Sequence, residues 1–493
     1  MALDEGAAGG YALTDLREWI SCLENAGELH RIRVPVDWKV ELGAIVSSVL
    51  ARKGPALLFE NIKGYEQGRG RKVFVHMIAK PAQSAMLFGQ PKDASLKGLI
   101  EFVRHAMENR LDPVVLDDGP VKKNILRGAD VNLYDFPVPQ WNEFDGGRYI
   151  NSMCGVVTRD PDTGWINVGL YRGMIGDRNR IPVLMIASQH WGRHFTKYRA
   201  MKKPMPVAVF YGGDPLLALL ACSQVPSGVN EFAVAGAIRG APVELVRCET
   251  SDLFVPARAE IVVEGFIDPD PGTFLMEGPF KEYTGHYSGK PSPKPVIQVQ
   301  CITHRDDPIY QGSLGFMGNQ LITRPAHAWN LLEVAGVPGV TDVWCDEVTA
   351  GTNVTVQIRK TYLGQAKQVA MALWGSTGST HAFKNVIVVD EDIDIRDPEQ
   401  MQWAIAYRLN AGENDMLVYP GTHGSPLDPS TRMEERDLAR YGSGKWYRVL
   451  FDATKNWELP RRPEWGGDVY PPTRAFSDDY KELVKRRWAE YGF

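Results

Sequence analysis

The stretch Met153-Cys-Gly-Val-Val-Thr-Arg-Asp-Pro-Asp-Thr-Gly-Trp-Ile-Asn-Val-Gly-Leu-Tyr-Arg172 indicates the fold class. Two runs rich in β-branched and aromatic residues, 153–158 and 165–172, flank the turn sequence 160–164, and this arrangement predicts a β-hairpin. Further strands are predicted downstream at 182–187, 207–211, 260–267 and 296–302. Several strands with few helices indicate a barrel-like β domain in the middle of the chain.

On both sides of this stretch the pattern changes to alternating helices and strands. Leu16, Trp19, Ile20 and Leu23 recur at helical spacing. After the middle, the predicted strands and helices are 354–358, 362–374, 386–389 and 398–409. The sequence therefore predicts an α+β multidomain protein. Its predicted parts are an α/β domain at 1–120, the strand-rich domain at 121–320 and a second α/β domain at 321–493.

Composition excludes several classes of protein. The 493-residue chain has a formal net charge of -5 and no long block of Lys or Arg, so we expect no nucleic-acid partner. Its longest apolar runs, such as 216–222, are too short to span a bilayer, and residues 1–10 do not resemble a signal peptide. The scattered cysteines argue against a disulfide framework. We therefore expect a cytoplasmic protein without a membrane partner.

Four segments carry candidate functional residues, and the first is the second strand of the hairpin. Asn167 offers a neutral oxygen ligand, and Arg172 offers a forked donor for a carboxylate or phosphate. In an ideal strand these two side chains would point to opposite faces. The sequence thus requires either a bulge or a ligand that is held from both sides. The alternative is an ordinary strand with an exposed arginine.

The second segment, 188–194, follows a predicted strand and contains two histidines. His190 and His194 are four residues apart, which suggests a zinc hydrolase as one alternative. That alternative is weak because Trp191 stands where a glutamate should follow the first histidine, and because Gly192 disfavours a helix. A structural histidine packed beside tryptophan is the plainer interpretation.

The third and fourth segments contribute carboxylates. Glu231 follows a Pro- and Gly-containing loop and precedes small residues, a setting in which a carboxylate can bind a metal ion. Glu277 and Glu282 flank a Gly-Pro bend, and paired carboxylates near an arginine suit proton transfer. Taken singly, Glu231 is also compatible with a solvated loop charge, and the pair with a charged surface turn.

Taken together and in this order, the four segments resemble the UbiD family of prenylated-FMN decarboxylases. The likeness covers nearly the whole chain and is most specific between residues 153 and 282. It extends through the segments 242–246, 256–265 and 384–394, and the ending 490–493 is similar to that of the fungal ferulate decarboxylases. Each motif is short, and it is the ordered set that is specific.

The resemblance implies that the middle domain is a split β-barrel that binds prenylated FMN. The implied ligands of a Mn²⁺ or Mg²⁺ ion at the flavin phosphate are Asn167, His190 and Glu231. A potassium ion would bind near these ligands, through Glu231 and backbone around Ala221, Cys222 and Gln224. The other implied flavin contacts are Val168, Gly169, Leu170, Tyr171, Arg172, Gln189, Ser223 and Lys384.

The same resemblance implies the catalytic groups, which are Arg172, Glu277 and Glu282. Arg172 would orient the departing carboxylate, and Glu277 would position Arg172. Glu282 would protonate the carbon that loses CO2. The modified flavin would take up the electron pair as a covalent adduct with the substrate, which no side chain can do. The implied reaction is a reversible, non-oxidative decarboxylation.

Substrate and partners follow from the same likeness. The loop 424–430 resembles the hydroxybenzoate branch, and Gly378 stands where the ferulate enzymes carry a lysine. We therefore expect an aromatic or heteroaromatic carboxylate, with CO2 as product; a cinnamate-type acrylic acid is the alternative. A flavin prenyltransferase would supply the cofactor. The C-terminal domain and the arm-like segment 457–472 imply a homodimer or higher homo-oligomer. A non-catalytic flavin-binding subunit is disfavoured, because it would not need the triad.

Overall fold

The structure is a computed structural model that describes residues 13–75, 80–223, 225–314, 320–346, 348–376, 382–413, 415–471 and 476–492. The helices are α1 Leu16–Asn25, α2 Glu41–Ala51, α3 Pro81–Leu87, α4 Leu96–Glu108, α5 His190–Ala200, α6 Pro215–Ala221, α7 Glu231–Arg239, α8 Gln320–Val334, α9 Gln365–Trp374, α10 Pro398–Tyr407, α11 Leu438–Tyr441 and α12 Asp478–Arg486. Of the described helices, none is long and apolar enough to cross a membrane.

The strands alternate with these helices at both ends of the chain and cluster in its middle. They are β1 Leu29–Ile32, β2 Ala56–Phe59, β3 Lys72–Val75, β4 Val114–Leu116, β5 Asn124–Arg127, β6 Gly155–Arg159, β7 Ile166–Gly169, β8 Arg180–Pro182, β9 Met205–Tyr211, β10 Glu244–Arg247, β11 Phe254–Pro256, β12 Ile261–Ile267, β13 Leu275–Glu277, β14 Ser292–Lys294, β15 Val296–His304, β16 Ile309–Gly312, β17 Val340–Trp344, β18 Asn353–Ile358, β19 Asn385–Asp390, β20 Met416–Gly424 and β21 Gly444–Ala453. The fold is thus a mixed α/β multidomain fold, as expected from the sequence.

A seven-stranded antiparallel sheet forms the middle of the molecule. Its order is β5-β15-β12-β9-β6-β7, and β8 pairs with β15 beside this path. The predicted hairpin is present, because β6 and β7 pair in register around the turn. Within the described strands no pairing joins β5 to β7, so the sheet is open. The split barrel therefore stays a prediction.

Two smaller units flank this sheet. Four strands in the order β1-β2-β3-β16 form the first, and five strands in the order β17-β18-β19-β21-β20 form the last. The strand β16 lies at 309–312, yet it pairs with β3 rather than with the middle sheet. The chain therefore returns to its first sheet before the C-terminal part begins. The predicted boundaries between the three domains stay predictions.

Local sequence signals explain where the helices near the middle sheet begin and end. The side chain of Asp214 accepts a hydrogen bond from the backbone N–H of Leu216 at 2.8 Å, and Pro215 occupies the first turn of α6. Asn230 caps α7 in the same way, and Gly240 ends it in the left-handed conformation. These caps place the last residue of α6 and the first of α7 beside β7.

Two local predictions were wrong. The strand predicted at 182–187 ends at Pro182, because only β8 finds a hydrogen-bonding partner in β15. The helix that Gly192 was expected to disfavour does form, and α5 begins at His190. The reason is tertiary: a Cβ on Gly192 would collide with the Ile186 carbonyl, so glycine allows the helix to pack closely on the preceding segment.

Candidate active site

One cavity of about 200 Å³ opens between the middle sheet and α8. It collects residues from the end of β7, the start of α5, the end of α6, the start of α7 and the loop after β13. The residues proposed from sequence that line it are Asn167, Val168, Gly169, Leu170, Tyr171, Arg172, Gln189, His190, Ala221, Cys222, Ser223, Glu231 and Glu282. Segments that are far apart in the chain therefore meet at one opening.

The end of β7 explains how Asn167 and Arg172 reach the same cavity. The strand stops at Gly169, and the next residue, Leu170, donates its backbone N–H to the Ala221 carbonyl at 2.8 Å. Because Arg172 lies beyond the strand, the alternation of side chains no longer applies to it. Neither a bulge between the two residues nor a ligand held from both sides of a strand is needed.

Asn167, His190 and Glu231 line the same cavity. The Nδ1 of His190 lies 3.2 Å from the Oδ1 of Asn167. The backbone N–H of Val168 donates to the Oε2 of Glu231 at 2.9 Å. Asn167 and Glu231 are both buried. The structure therefore brings together the three side chains that were expected to hold a divalent ion.

The electrostatics of this group suit a cation. Burial raises the pKa of the Glu231 carboxyl to about 8, and hydrogen bonds from backbone N–H groups only partly oppose this rise. Burial also lowers the pKa of His190 to about 4, with smaller contributions from Arg193 and His194, so its imidazole is neutral at pH 7. A neutral imidazole, an amide oxygen and a carboxyl group that a bound cation would deprotonate are suitable ligands for a hard divalent ion. No cluster of three His, Cys, Asp or Glu side chains suited to a metal occurs in the described part of the chain.

Arg172, Glu277 and Glu282 form a second group, of which Arg172 and Glu282 line the same cavity while Glu277 contacts Arg172 without being a described lining residue. The Nη2 of Arg172 lies 2.9 Å from the Oε2 of Glu277, and its Nη1 makes an ion pair with Glu282. All three side chains are largely buried, and the ring of Phe280 lies 5.6 Å from the guanidinium carbon. Glu277 ends β13, whose pairing with β14 holds the carboxylate in place. An arginine thus lies between two acids, as the sequence suggested.

Tyr149 is a member of this group that sequence analysis missed. Its hydroxyl donates a hydrogen bond of 2.8 Å to the Oε1 of Glu277, and burial raises the pKa of the phenol far above its usual value. Its ring packs against Phe280, with ring centroids 4.3 Å apart. No local motif marks Tyr149, because its role depends on a contact with a residue 128 positions away.

Some proposed residues do not reach the cavity. Lys384 is not among its described lining residues, and its ammonium group instead bonds to Asp428 and Ser430, both at 2.7 Å. Its contact with a flavin phosphate stays a prediction. Gln224 and Gly378 lie outside the described residues.

The histidine pair of the zinc alternative does not share one opening. His194 is fully buried, and its Nδ1 lies 3.0 Å from the hydroxyl of Thr158. Unlike His190, it is not a described lining residue of the cavity. The i, i+4 spacing therefore gives no support to a hydrolytic zinc site.

Comparisons with known proteins agree with this geometry. Three domains of 3-octaprenyl-4-hydroxybenzoate carboxy-lyase match the chain: the N-terminal domain at residues 20–103, the Rift-related domain at 114–317 and the C-terminal domain at 320–453. The pyrrole-2-carboxylic acid decarboxylase of Pseudomonas aeruginosa is 32% identical over 97% of this chain and 98% of its own length.

Solved structures extend the comparison. The UbiD-class enzyme HmfF from Pelotomaculum thermopropionicum, in complex with FMN, has a TM-score of 0.78 at 32% identity and covers 94% of this chain and 98% of its own. An evolved dimeric form of HmfF in complex with prFMN has a TM-score of 0.74 at 29% identity, over 91% and 96%. The closed vanillic acid decarboxylase of Sedimentibacter hydroxybenzoicus has a TM-score of 0.85 at 30% identity, over 96% and 98%.

Fold, site and relatives together define the class of protein as a carboxy-lyase. More narrowly, the chain belongs to the UbiD family, whose N-terminal, Rift-related and C-terminal domains it matches in that order.

Proposed function

We propose that this chain catalyses the reversible, non-oxidative decarboxylation of an aromatic or heteroaromatic carboxylic acid with prenylated FMN as cofactor. The observation that carries the proposal is the contact of Arg172 with both Glu277 and Glu282 at a cavity that also contains Asn167, His190 and Glu231. The relatives support the substrate class, since one is a decarboxylase of pyrrole-2-carboxylic acid and another of vanillic acid. A cinnamate-type acrylic acid is the alternative.

The cofactor would occupy the part of the cavity beside α5 and α7. Asn167, His190 and Glu231 would hold Mn²⁺ or Mg²⁺ against the flavin phosphate, and backbone near Ala221 and Cys222 would hold K⁺. The neutral imidazole of His190 and the buried carboxyl of Glu231, which a bound cation would deprotonate, fit this role. When bound, the prenylated flavin supplies an acceptor for the electron pair that remains when CO2 leaves.

The protein's own residues would orient the substrate and move the proton. Arg172 presents its guanidinium to the carboxylate that departs, which fixes the carbon–carbon bond to be broken. After CO2 has left, a protonated Glu282 would give its proton to the carbon that carried the carboxylate. A carbon–hydrogen bond then replaces the broken carbon–carbon bond, and Glu282 is left as a carboxylate beside Arg172. Glu277 holds the other side of Arg172, and Tyr149 holds Glu277.

The assembly and the finer fold are part of the proposal. A flavin prenyltransferase would supply the cofactor, and the chain would form a homodimer or a higher homo-oligomer. The evolved dimeric form of HmfF supports a dimer. The three predicted domains, with a split barrel in the middle, agree in order with the three matching domains of the carboxy-lyase.

The direct test is to co-express the chain with a flavin prenyltransferase and to measure CO2 release from a panel of acids. The panel would contain pyrrole-2-carboxylate, vanillate and cinnamate. We expect release from at least one aromatic or heteroaromatic acid. Turnover of cinnamate alone would favour the alternative, and no release by fully flavin-loaded protein would refute the proposed activity.

Replacing Glu231 by glutamine should weaken cofactor retention. The change removes the negative charge that would bind the divalent ion, while the amide can still accept the hydrogen bond from Val168. We expect purified Glu231→Gln protein to contain much less metal and flavin than the wild type, measured by elemental analysis and absorbance. A full complement of both in the variant would contradict the metal assignment.

The same variant has a predicted effect on the ligand-free protein. Because the pKa of Glu231 is raised to about 8 in the fold, the folded state binds more protons than the unfolded state between pH 4.5 and 8. The contribution of this group to stability therefore falls as pH rises through that range. Glutamine removes the titration, so the wild type should lose more thermal stability than the variant between these pH values. Parallel melting curves would contradict this expectation.

Replacing Tyr149 by phenylalanine should lower kcat about tenfold, the equivalent of ~1.4 kcal/mol, with little change in KM. The phenol touches Glu277 and not the cavity, so it is a positioning residue. The matched control is Tyr310→Phe, which removes another buried hydroxyl, one bonded to the Ile150 carbonyl at 2.7 Å. Equal losses of kcat in the two variants would indicate general destabilisation instead.

A further inference from the structure

The cavity contains a second arginine that the proposed chemistry does not use. Arg324 lies in α8, lines the cavity, and is 7% exposed. Its Nη1 donates a hydrogen bond to the Ala350 carbonyl. A Cβ on Gly351 would collide with the Arg324 side chain, and this residue has a φ of +73° that favours glycine. The backbone at 350–351 is therefore shaped around the guanidinium.

Within the described residues, the charge of Arg324 has no acidic partner. Arg172 has two carboxylate partners, whereas no described carboxylate lies within ion-pair distance of Arg324. The described groups that interact with it electrostatically include no carboxylate: they are Tyr283, Cys222, Cys345 and His327. Burial lowers the pKa of Arg324, which shows that its surroundings oppose a charge.

A buried cation without a counter-charge is unfavourable unless a ligand provides one. Arginine has five N–H donors in a planar fork, and the described hydrogen bonds of Arg324 use one of its nitrogens. The remaining donors suit two oxygens of one anionic group. A structural arginine would instead use several of its donors within the protein. Arg239 pairs with Asp214, and Arg448 donates to the carbonyls of Ala382, Phe383 and His423.

We propose that Arg324 binds a second anionic group in this cavity, a carboxylate or a phosphate, distinct from the carboxylate that Arg172 would orient. The inference rests on the proposed function, which places both a substrate acid and a flavin phosphate in the cavity. Two sources share this chemistry: a second carboxylate on the substrate, and the phosphate of the flavin. The separate arms of one experiment distinguish them.

The experiment compares wild type, Arg324→Met and Arg324→Lys as full-length proteins. The first arm measures the affinities for FMN and for riboflavin, which lacks the phosphate. The second arm measures the affinities for pyrrole-2,5-dicarboxylate and for pyrrole-2-carboxylate. Each arm gives a preference, which is the ratio of the two affinities. We expect Arg324→Met to reduce one of these two ratios about tenfold or more, while Arg324→Lys keeps most of it. Loss of the FMN preference identifies the phosphate, and loss of the dicarboxylate preference identifies a substrate group.

Thermal unfolding of the ligand-free proteins distinguishes anion binding by Arg324 from a structural role. An anion-binding arginine predicts that Arg324→Met is as heat-stable as the wild type or more so, because an unbalanced charge has been removed. Unchanged preferences in both arms, or a wild type without either preference, would overturn the inference. If the wild type releases CO2 in the acid panel but shows no preference, only this inference fails. If the preferences are present but no acid is decarboxylated, only the proposed function fails.

Discussion

Glu282→Gln protein should release CO2 about 10²–10⁴-fold more slowly than the wild type while it still binds the substrate. Glutamine keeps the size of the side chain and can still accept a hydrogen bond from Arg172, but it has no proton to give at neutral pH. Arg172 keeps its contact with Glu277 in the variant, so the orientation of the substrate carboxylate should survive. The loss should therefore appear in kcat, with KM changed little.

The matched control for this variant is Glu282→Asp, which retains an acid on a shorter side chain. We expect aspartate to restore part of the rate, because proton transfer tolerates a longer path better than the absence of an acid. Kinetics would be measured on flavin-loaded protein, and substrate binding by calorimetry. A Glu282→Gln enzyme with full activity would remove the proposed proton donor, and loss of binding together with activity would point to a structural role.

Arg172→Met protein should lose both activity and stability. Two buried carboxylates, Glu277 and Glu282, would then face one another without a cation. Breaking a buried pair by removing one partner costs about 3–5 kcal/mol of unfolding free energy. The substrate carboxylate would also lose its forked donor, and misplacement of a reacting group by about 1 Å can cost 10²-fold in rate.

The control for this prediction is Arg172→Lys, which keeps the positive charge. A lysine ammonium is a point donor and cannot reproduce the fork that joins two acids. We therefore expect Arg172→Lys to regain most of the stability and little of the activity, measured by chemical denaturation and by CO2 release. A methionine variant as stable as the wild type would contradict the structural part. A lysine variant with full activity would contradict the catalytic part.

Local pattern predicted the elements of this fold well where the chain repeats a simple period. Helix α1 and the β6–β7 hairpin lie where the sequence placed them, because their apolar spacing and turn residues act over a few positions. The local pattern was wrong at α5, where Gly192 predicts that no helix forms. A close contact with Ile186 requires a glycine there, and local propensity does not report on packing.

In the candidate site, too, some residues could be identified from local motifs and others only from contacts between distant parts of the chain. Ordered motifs identified Arg172, Glu277 and Glu282 as a set, and the structure brings them into contact. Tyr149 and Arg324 belong to no motif. Tyr149 contacts Glu277, and Arg324 contacts the backbone of Ala350. A linear pattern carries no information about such distant contacts.

The sequence by itself determined the class of fold, the family likeness and the chemical types gathered for the reaction, since these depend on residue order and short-range periodicity. Only the tertiary structure decided that Arg172 touches both acids, that Asn167 and Arg172 reach one cavity, and that Arg324 lines it without an acidic partner among the described residues. The physical reason is that ion pairing and burial depend on distances in space. Those distances are set when separate sheets and helices pack together, and not by the spacing of residues along the chain.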